Sequence, residues 1–254
     1  MGQVFELAGV YKLGNGGMTS LARCILADFH GDVLMSSPVA EISQDANGAV
    51  VKTHQGRQFR AKVVITTIPL NCLEDVTFEP ALGQLRKEAI AHGHINKGAT
   101  IHFKLSQVEQ GWFATCYKRS PYVFTFSDHN GTKSHGPDAT WCIGFGYNGH
   151  LEDKRDSKAI IEQFENNIRP DADIKLYATH DWMNDPYAKG CWGPGSMTKY
   201  WQELQKPHGR VIFASADWAD GWRGFVDGAI EMGRKAARDA GEFIESCETV
   251  ASRF

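Results

Sequence analysis

No stretch of this 254-residue chain approaches the ~18 consecutive apolar residues of a membrane-spanning helix, so a membrane anchor of that kind is not expected. Positive charge is short as well. Lys and Arg number 27 against 30 Asp and Glu, with a net charge of −3 and no basic block, which argues against a nucleic-acid surface. The six cysteines (Cys24, Cys72, Cys116, Cys142, Cys191, Cys247) include no C-x-x-C and no zinc-finger spacing, so reduced thiols are expected rather than a disulfide frame. The ten histidines do not cluster at metal-ligand spacing, and no metal site is expected. Internal repeats, low-complexity linkers and a basic-then-apolar leader are missing too. A βαβ unit opening on G-x-G-x-x-G is also wanting. In Gly14-Asn15-Gly16-Gly17 the third glycine position is occupied by Thr19.

What is present is the composition of a folded globular protein, 42% hydrophobic and 22% charged, at a length that allows one large domain or two small ones. Seven tryptophans and 26 glycines combine wide aromatic surfaces with close backbone approaches. That pairing suits a ligand cavity, and a large core would account for it equally well.

Patterning predicts a strand at Val10 to Leu13, a glycine turn and a helix over Thr19 to Phe29, capped by Thr19 or Ser20, with Leu21, Cys24 and Ile25 on its apolar face. Strands at Ala40 to Gln44 and Ala49 to Thr53 flank a hairpin turn, Asp45-Ala46-Asn47-Gly48. The β-branched run in KVVITTIP reads as a fully buried strand. A helix at Leu82 to His92 and strands at Ala99 to Leu105, Tyr122 to Ser127 and Thr140 to Tyr147 follow. Ser157 to Ile168 is an amphipathic helix with Ile160, Ile161, Phe164 and Ile168 on one face. Ile174 to Asp181 is a strand, Val211 to Ala214 the last one, and Gly224 to Ile244 the closing helix.

That closing helix carries small residues, Gly224, Gly228, Ala229, Gly233, Ala236 and Ala237, at roughly helical spacing. A helix-interior glycine costs about 1 kcal/mol against alanine, so the run needs a reason. Close approach of a second backbone is one, and of a flat ligand another. The helix start, with free N–H groups and partial positive charge, favours an anion or a polarised carbonyl.

The stretch ASADWADGWRGFVDGAIEMGRKAAR resembles the C-terminal motif of flavin-containing amine oxidases, nearest to fungal monoamine oxidase. Three further stretches resemble that family in order. LGNGGMTSLARCILAD is similar to its second cofactor-binding segment, and SSPVAEI with QFRAKVVITTIPL to its adenine-side strands. HDWMNDPYAKGCWGPGSM, upstream of HGRVIFAS, resembles its substrate-cavity wall. The likeness runs from about Val10 to about Ile244.

The resemblance implies a mixed α+β and α/β fold. Residues 1–75 and 205–254 would form a partial FAD-binding domain of the glutathione-reductase type built from separated segments, and residues 76–204 a mixed-sheet substrate-binding domain. It implies FAD as cofactor, a small-molecule amine as substrate, and oxidation to an imine with hydrogen peroxide formed from oxygen. By similarity, Lys97 holds a water at the flavin, and Trp192 and Phe225 form the two walls of an aromatic slot. Val39, Asp217, Trp222, Arg223 and Val226 contact the cofactor. Cys191 matches the position through which some members attach FAD covalently, while other members have a different residue there and hold FAD noncovalently. The chain reaches Pro194-Gly195 sooner after Cys191 than the family does, which puts the placement of that wall in question. From the residues alone, Lys97 reads as a solvated strand-end lysine and Cys191 as a small buried hydrophobe. Asp181, Asp185 and the other aspartate beside Trp218 read as turn residues.

The missing dinucleotide unit leads to the expectation of a truncated or split C-terminal half that holds free FAD weakly. A homodimer or a complementing FAD-domain chain would then cover the exposed sheet. The competing readings are a flavin-free relative that uses the aromatic cavity to bind or isomerise a small metabolite, and a noncatalytic subunit. A cytoplasmic location is expected, with Ser252-Arg253-Phe254, a loose relative of the S-K-L address, giving a peroxisomal alternative.

Overall fold

The computed structural model describes residues 17–93, 98–109, 111–115, 120–128, 140–147, 155–190 and 200–251. Lys97, Cys191, Trp192 and the tripeptide 252–254 lie outside the described residues, as does the strand expected at residues 10–13. The chain divides into two compact units, Met1–Met35 with Thr100–His180, and Ser36–Ala99 with Asp181–Phe254. Among the described residues no helix is long and apolar enough to cross a membrane.

In the second unit, β1 (Val39–Gln44) and β2 (Ala49–Thr53) form the expected hairpin. Asp45 closes it: its carboxylate accepts the N–H groups of Asn47 (2.7 Å) and Gly48 (3.0 Å), the Asx geometry that favours Asp at this position. β3 (Gln58–Ala61) adds antiparallel to β2 and β5 (Thr77–Glu79) parallel to β1, giving a mixed sheet in the order β3-β2-β1-β5. β4 (Val64–Thr66) pairs in parallel with β11 (Val211–Phe213) as a separate two-stranded sheet. Helices α2 (Gln84–His92), α4 (Trp201–Leu204) and α5 (Val226–Ala251) complete the unit. Its core joins Leu70, Leu73, Phe78, Leu204, Phe213, Trp218 and Met232.

The fully buried strand expected from KVVITTIP does not form as such. β4 is three residues long and Ile65 is 41% exposed. Its only partner among the described residues is β11, so its other edge is unpaired there, and Ile65 is exposed while its β11 neighbour Ile212 is buried.

In the first unit, β6 (Gly98–Leu105), β7 (Phe113–Thr115), β8 (Tyr122–Asp128), β9 (Thr140–Tyr147) and β10 (Ile174–Thr179) form a sheet in the order β10-β6-β9-β8-β7. Ile101, Phe103 and Leu105 alternate inward along β6, and Phe103 meets Phe164 of α3 (Ser157–Asn167) with ring centroids 4.4 Å apart. Asp156 caps α3 by accepting from the Ala159 N–H at 3.0 Å. Four phenylalanines, Phe113, Phe124, Phe126 and Phe145, stack nearly parallel across β7 to β9.

Helix α1 (Gly17–Ala27) starts before the expected cap. Ser20 lies inside it, its hydroxyl donating to the Gly17 carbonyl at 2.6 Å, and none of its residues is buried. Of the apolar face expected at Leu21, Cys24 and Ile25, Cys24 and Ile25 are exposed and Leu21 is half-buried.

Candidate functional site

The last strand of the second unit runs directly into the segment of interest. Val211, Ile212 and Phe213 are buried, and the chain then turns through a short 3-10 helix, Ala216–Trp218, before α5 begins at Val226. Ser215 caps the 3-10 turn by accepting the Asp217 N–H at 3.2 Å. Trp218 is fully buried, and its indole N–H donates to the Phe213 carbonyl at 3.3 Å, so this tryptophan is the anchor of the turn. The Gly224 N–H reaches back to the Ala216 carbonyl at 2.8 Å with φ +78°, a left-handed conformation that favours glycine.

Three side chains the sequence reading passed over hold this turn in place. The Glu231 carboxylate, one helical turn and more into α5, accepts the N–H groups of Asp220 (2.9 Å) and Gly221 (3.0 Å). Gln205 donates to the Trp218 carbonyl (2.7 Å) and the Asp220 carboxylate (2.9 Å). Arg86, only 2% exposed, donates to the carbonyls of Glu203 and Lys206, both at 2.5 Å, on either side of Gln205. Its guanidinium lies 4.3 Å from the Phe213 ring centroid, and burial lowers its pKa from the ordinary arginine value. None of these pairings is local in sequence, which is why no motif marks them.

The glycine pattern of the closing helix resolves position by position. A Cβ on Gly228 would sit 2.3 Å from the Trp222 carbonyl oxygen and 3.0 Å from Ala219 Cβ, so here a second backbone, the turn's own, presses on the helix. Nothing lies within 4 Å of such an atom at Gly233 or Gly241.

What the turn presents outward is aromatic. Trp222 (59% exposed) and Phe225 (61% exposed) stand edge to face, with centroids 5.8 Å apart at 81°. Val226 and Ile230 continue the exposed apolar surface along α5. Arg223 is turned the other way: its Nε donates to the Ala219 carbonyl (3.0 Å) and its guanidinium lies over Trp201 at 5.0 Å. Of the expected site residues, Asp217, Trp222, Arg223, Phe225 and Val226 are thus gathered within one strand–turn–helix segment. Val39 is elsewhere in the same unit, in the wall of a cleft of about 670 Å³ with His54, Ile68, Pro69, Cys72 and Tyr187. Burial pushes the Cys72 thiol above its usual pKa, and Cys72 is an inert wall group.

The fit to a flavin can be tested on these groups. The first N–H groups of α5 precede Ala229, whose N–H is the first to find a helical-type partner at the Phe225 carbonyl (3.1 Å). They leave a partial positive charge beside exposed aromatic edges, which suits a flat ring system with an electron-rich carbonyl edge. The Val39 cleft has the volume and apolar wall of a site for part of a nucleotide. The residues present fit the group. One stretch does match G-x-G-x-x-G in sequence, Gly144-Phe145-Gly146-Tyr147-Asn148-Gly149. Its first four residues lie inside β9 rather than at a strand-to-helix turn, and a Cβ on Gly144 would meet the Tyr122 ring at 3.0 Å, so this Gly144 answers to packing.

The fold is that of a mixed α/β protein with mixed sheets, and one strand–turn–helix segment gathers most of the expected site residues. The family model for flavin-containing amine oxidoreductases matches residues 2–240, and the chain belongs to that family. It is 32% identical over 251 residues to pseudooxynicotine dehydrogenase of a Pseudomonas species, covering 96% of this chain and 49% of that relative. To nicotine dehydrogenase of Pseudomonas putida (strain DSM 28022 / S16) it is 28% identical over 232 residues, covering 90% and 47%. The solved structure of putrescine oxidase bound to putrescine matches its fold with TM-score 0.73 at 19% identity, over 89% of this chain and 53% of that one. Cyclohexylamine oxidase from Brevibacterium oxydans IH-35A gives TM-score 0.70 at 21% identity, over 91% and 53%. The chain spans about half the length of the relatives it matches.

Proposed function

We propose that the chain is the amine-facing half of a flavin-dependent amine oxidoreductase that converts a small amine to its imine. The observation that carries this reading is the Trp222–Phe225 pair, held edge to face and exposed at the start of α5 by the Glu231, Gln205 and Trp218 clamps. FAD, when bound, supplies the two-electron acceptor for the carbon–hydrogen bond beside the nitrogen. Trp222, Val226 and the helix start hold its ring edge, and Val39 contributes to the cleft for its nucleotide part. Phe225, with Trp192 as the second wall, excludes water from the amine and keeps its neutral base beside the acceptor. Lys97 holds a water at the acceptor for the return of electrons to oxygen, which gives hydrogen peroxide. Noncovalent binding of FAD is the reading preferred here, with a thioether at Cys191 as its alternative.

On this reading residues 1–75 and 205–254 serve the cofactor and residues 76–204 the substrate. A complementing chain with a dinucleotide-binding unit, or a second copy, covers the exposed β4 and α5 faces. The activity is placed in the cytoplasm, with the 252–254 address as the peroxisomal alternative.

The test is an absorbance spectrum of the purified chain with added FAD, followed by acid precipitation and an amine-dependent peroxide assay. Visible flavin bands that shift on mixing the chain with excess FAD, and whose flavin passes to the supernatant in acid, are expected. Bands that stay with the precipitate would assign the thioether. A chain that remains colourless in excess FAD overturns the reading for the chain as a cofactor holder.

A further inference from the structure

We propose that the loop Asp181–Gly190 is a strap along the cleft beside Val39, latched by Lys189 on the carboxylates of Glu74 and Asp75 and freed when that latch is screened or removed. This rests on the reading above, in which the cleft takes the nucleotide part of FAD. The cleft has walls of two kinds. Val39 and His54 come from the open end of the β1–β2 hairpin, and Cys72 and Asp75 from the short 3-10 helix Leu70–Asp75 that follows β4. Pro186 and Tyr187 belong to the loop, and both are exposed, Tyr187 at 67%.

The two kinds of wall are held differently. Ile42 of the hairpin and Leu70 and Leu73 of the 3-10 helix are buried, whereas none of residues 181–190 is. A segment with no buried side chain opens at a lower free energy than the core it rests on. The loop nonetheless keeps its own shape. Asp185 accepts the Tyr187 N–H on its carboxylate at 2.8 Å and the Lys189 N–H on its carbonyl at 2.9 Å. The Gly190 N–H donates to the Trp182 carbonyl at 3.0 Å and closes the loop near its base, so it can lift as a unit. The contacts that fasten it to the 3-10 helix are polar. The Lys189 ammonium meets Asp75 at 2.6 Å and Glu74 at 3.5 Å, the Asn71 amide donates to the Lys189 carbonyl at 2.7 Å, and the Cys72 thiol to the Pro186 carbonyl at 3.8 Å. Lys189 has φ +50°, uncommon for a residue with a Cβ, and it persists while one helix holds both its ammonium and its carbonyl. The hydrogen bond to Asp75 raises the Lys189 pKa, so the latch stays charged. Its side chain is 31% exposed and those of Glu74 and Asp75 are 61% and 46% exposed, so dissolved ions reach the pair. Such a latch keeps a wall against the cleft and lets it lift as a nucleotide enters or leaves.

Two measurements on the full chain test the strap. Without ligand, amide hydrogen exchange over residues 187–190 is expected to rise about threefold in Lys189→Met, the scale that an exposed ion pair allows. Taking the wild-type chain from about 0.1 M to about 1 M salt should give the same rise, as the screening length shortens from about 10 Å to about 3 Å. Salt should add nothing in Lys189→Met, Lys189→Arg should stay near wild type, and the β1–β2 hairpin should not change. Exchange over 187–190 that ignores both the substitution and the salt overturns the proposal. In the second measurement FAD is the probe: binding is read from the shift of its visible bands, and release is timed after dilution. Bound FAD should slow exchange over 187–190, and release should be about threefold faster from Lys189→Met and from the double variant Glu74→Gln/Asp75→Asn alike. Simple attraction of the FAD phosphates to Lys189 would move those two variants in opposite directions, and that result overturns the strap. If the wild-type chain binds FAD and neither variant changes its release, the strap is wrong and the cofactor reading stands. If the bands do not shift with wild-type chain in excess FAD, the cofactor reading of the cleft fails, and the strap falls with it.

Discussion

At the scale of single residues, Gly228 and Gly233 make opposite predictions from the same helix. Gly228→Ala places a methyl 2.3 Å from the Trp222 carbonyl oxygen, so the turn must retreat, and overpacking of this kind costs about 1–3 kcal/mol. Gly233→Ala meets nothing within 4 Å and removes a glycine from a helix interior, which should stabilise by about 1 kcal/mol. Urea denaturation of the two variants checks both signs. Equal effects would mean that the turn does not press on the helix as described. Gln205→Ala belongs to the same scale. It removes two hydrogen bonds to the turn, one of them to an aspartate, and should lower stability by about 1–2 kcal/mol in the same titration.

At the scale of elements, the β-hairpin, the amphipathic helix and the strand–turn–helix segment were legible because each depends on local pattern. Asp45-Ala46-Asn47-Gly48 carries its own turn chemistry, and Ile160 and Phe164 lie one helical turn apart and are both buried. Trp222 and Phe225 were singled out by their motif, Phe225 as one aromatic wall with Trp192 and Trp222 along the cofactor edge, whereas their edge-to-face contact with each other was not. Glu231, Gln205, Arg86 and Asn71 were not, because each meets partners that only the folded chain brings near, at separations of 10 to 120 residues. The burial of KVVITTIP was misjudged for a related reason: apolarity states what a strand prefers to face and not whether a partner is there. A second element-scale case is the network that pins the loop between α3 and β10 to the loop between β6 and β7. Arg169 bonds Glu109 at 2.7 and 3.0 Å and Asp171 at 2.8 Å, and its guanidinium lies over Trp112. The Arg169 hydrogen bonds hold the Asp171 carboxyl down at about 2 and lower that of Glu109. A carboxylate whose pKa is lower in the folded state adds stability above its unfolded value near 4, and loses it as pH falls toward the folded one. Stability should therefore decline between about pH 5 and pH 2, and Arg169→Met should flatten that decline. Urea midpoints at pH 6 and pH 3 for both proteins decide it; parallel slopes would remove the network from the account.

For the whole molecule, the question is what the exposed apolar surface does. Parallel strands are ordinarily covered on both faces, yet β4 and β11 form a two-stranded parallel sheet in which Ile65 is 41% exposed. Trp222 and Phe225 of the turn, with Val226 and Ile230 of α5, add further exposed apolar side chains in the same unit. In the other unit Met18, Ile25, Leu26 and Phe29 of the α1 region are at least half exposed. Groups of exposed large apolar side chains of this kind mark surfaces that another surface covers. Cofactor alone would cover Trp222 and Phe225 and leave Ile65 and α1 as they are. Covering those as well takes polypeptide surface, considered for each unit by itself. The lone chain is accordingly expected to bind an environment-sensitive apolar dye and to show a concentration-dependent rise in mass by light scattering. Ile65→Thr combined with Ile230→Lys should reduce both signals, because neither residue belongs to the aromatic pair or to the clamps that hold it. FAD should reduce the dye signal only in part, by the share that Trp222 and Phe225 contribute. A chain that stays monomeric at all concentrations and binds no dye would mean that these side chains are covered from within, and the partner reading would fall while the cofactor reading stood.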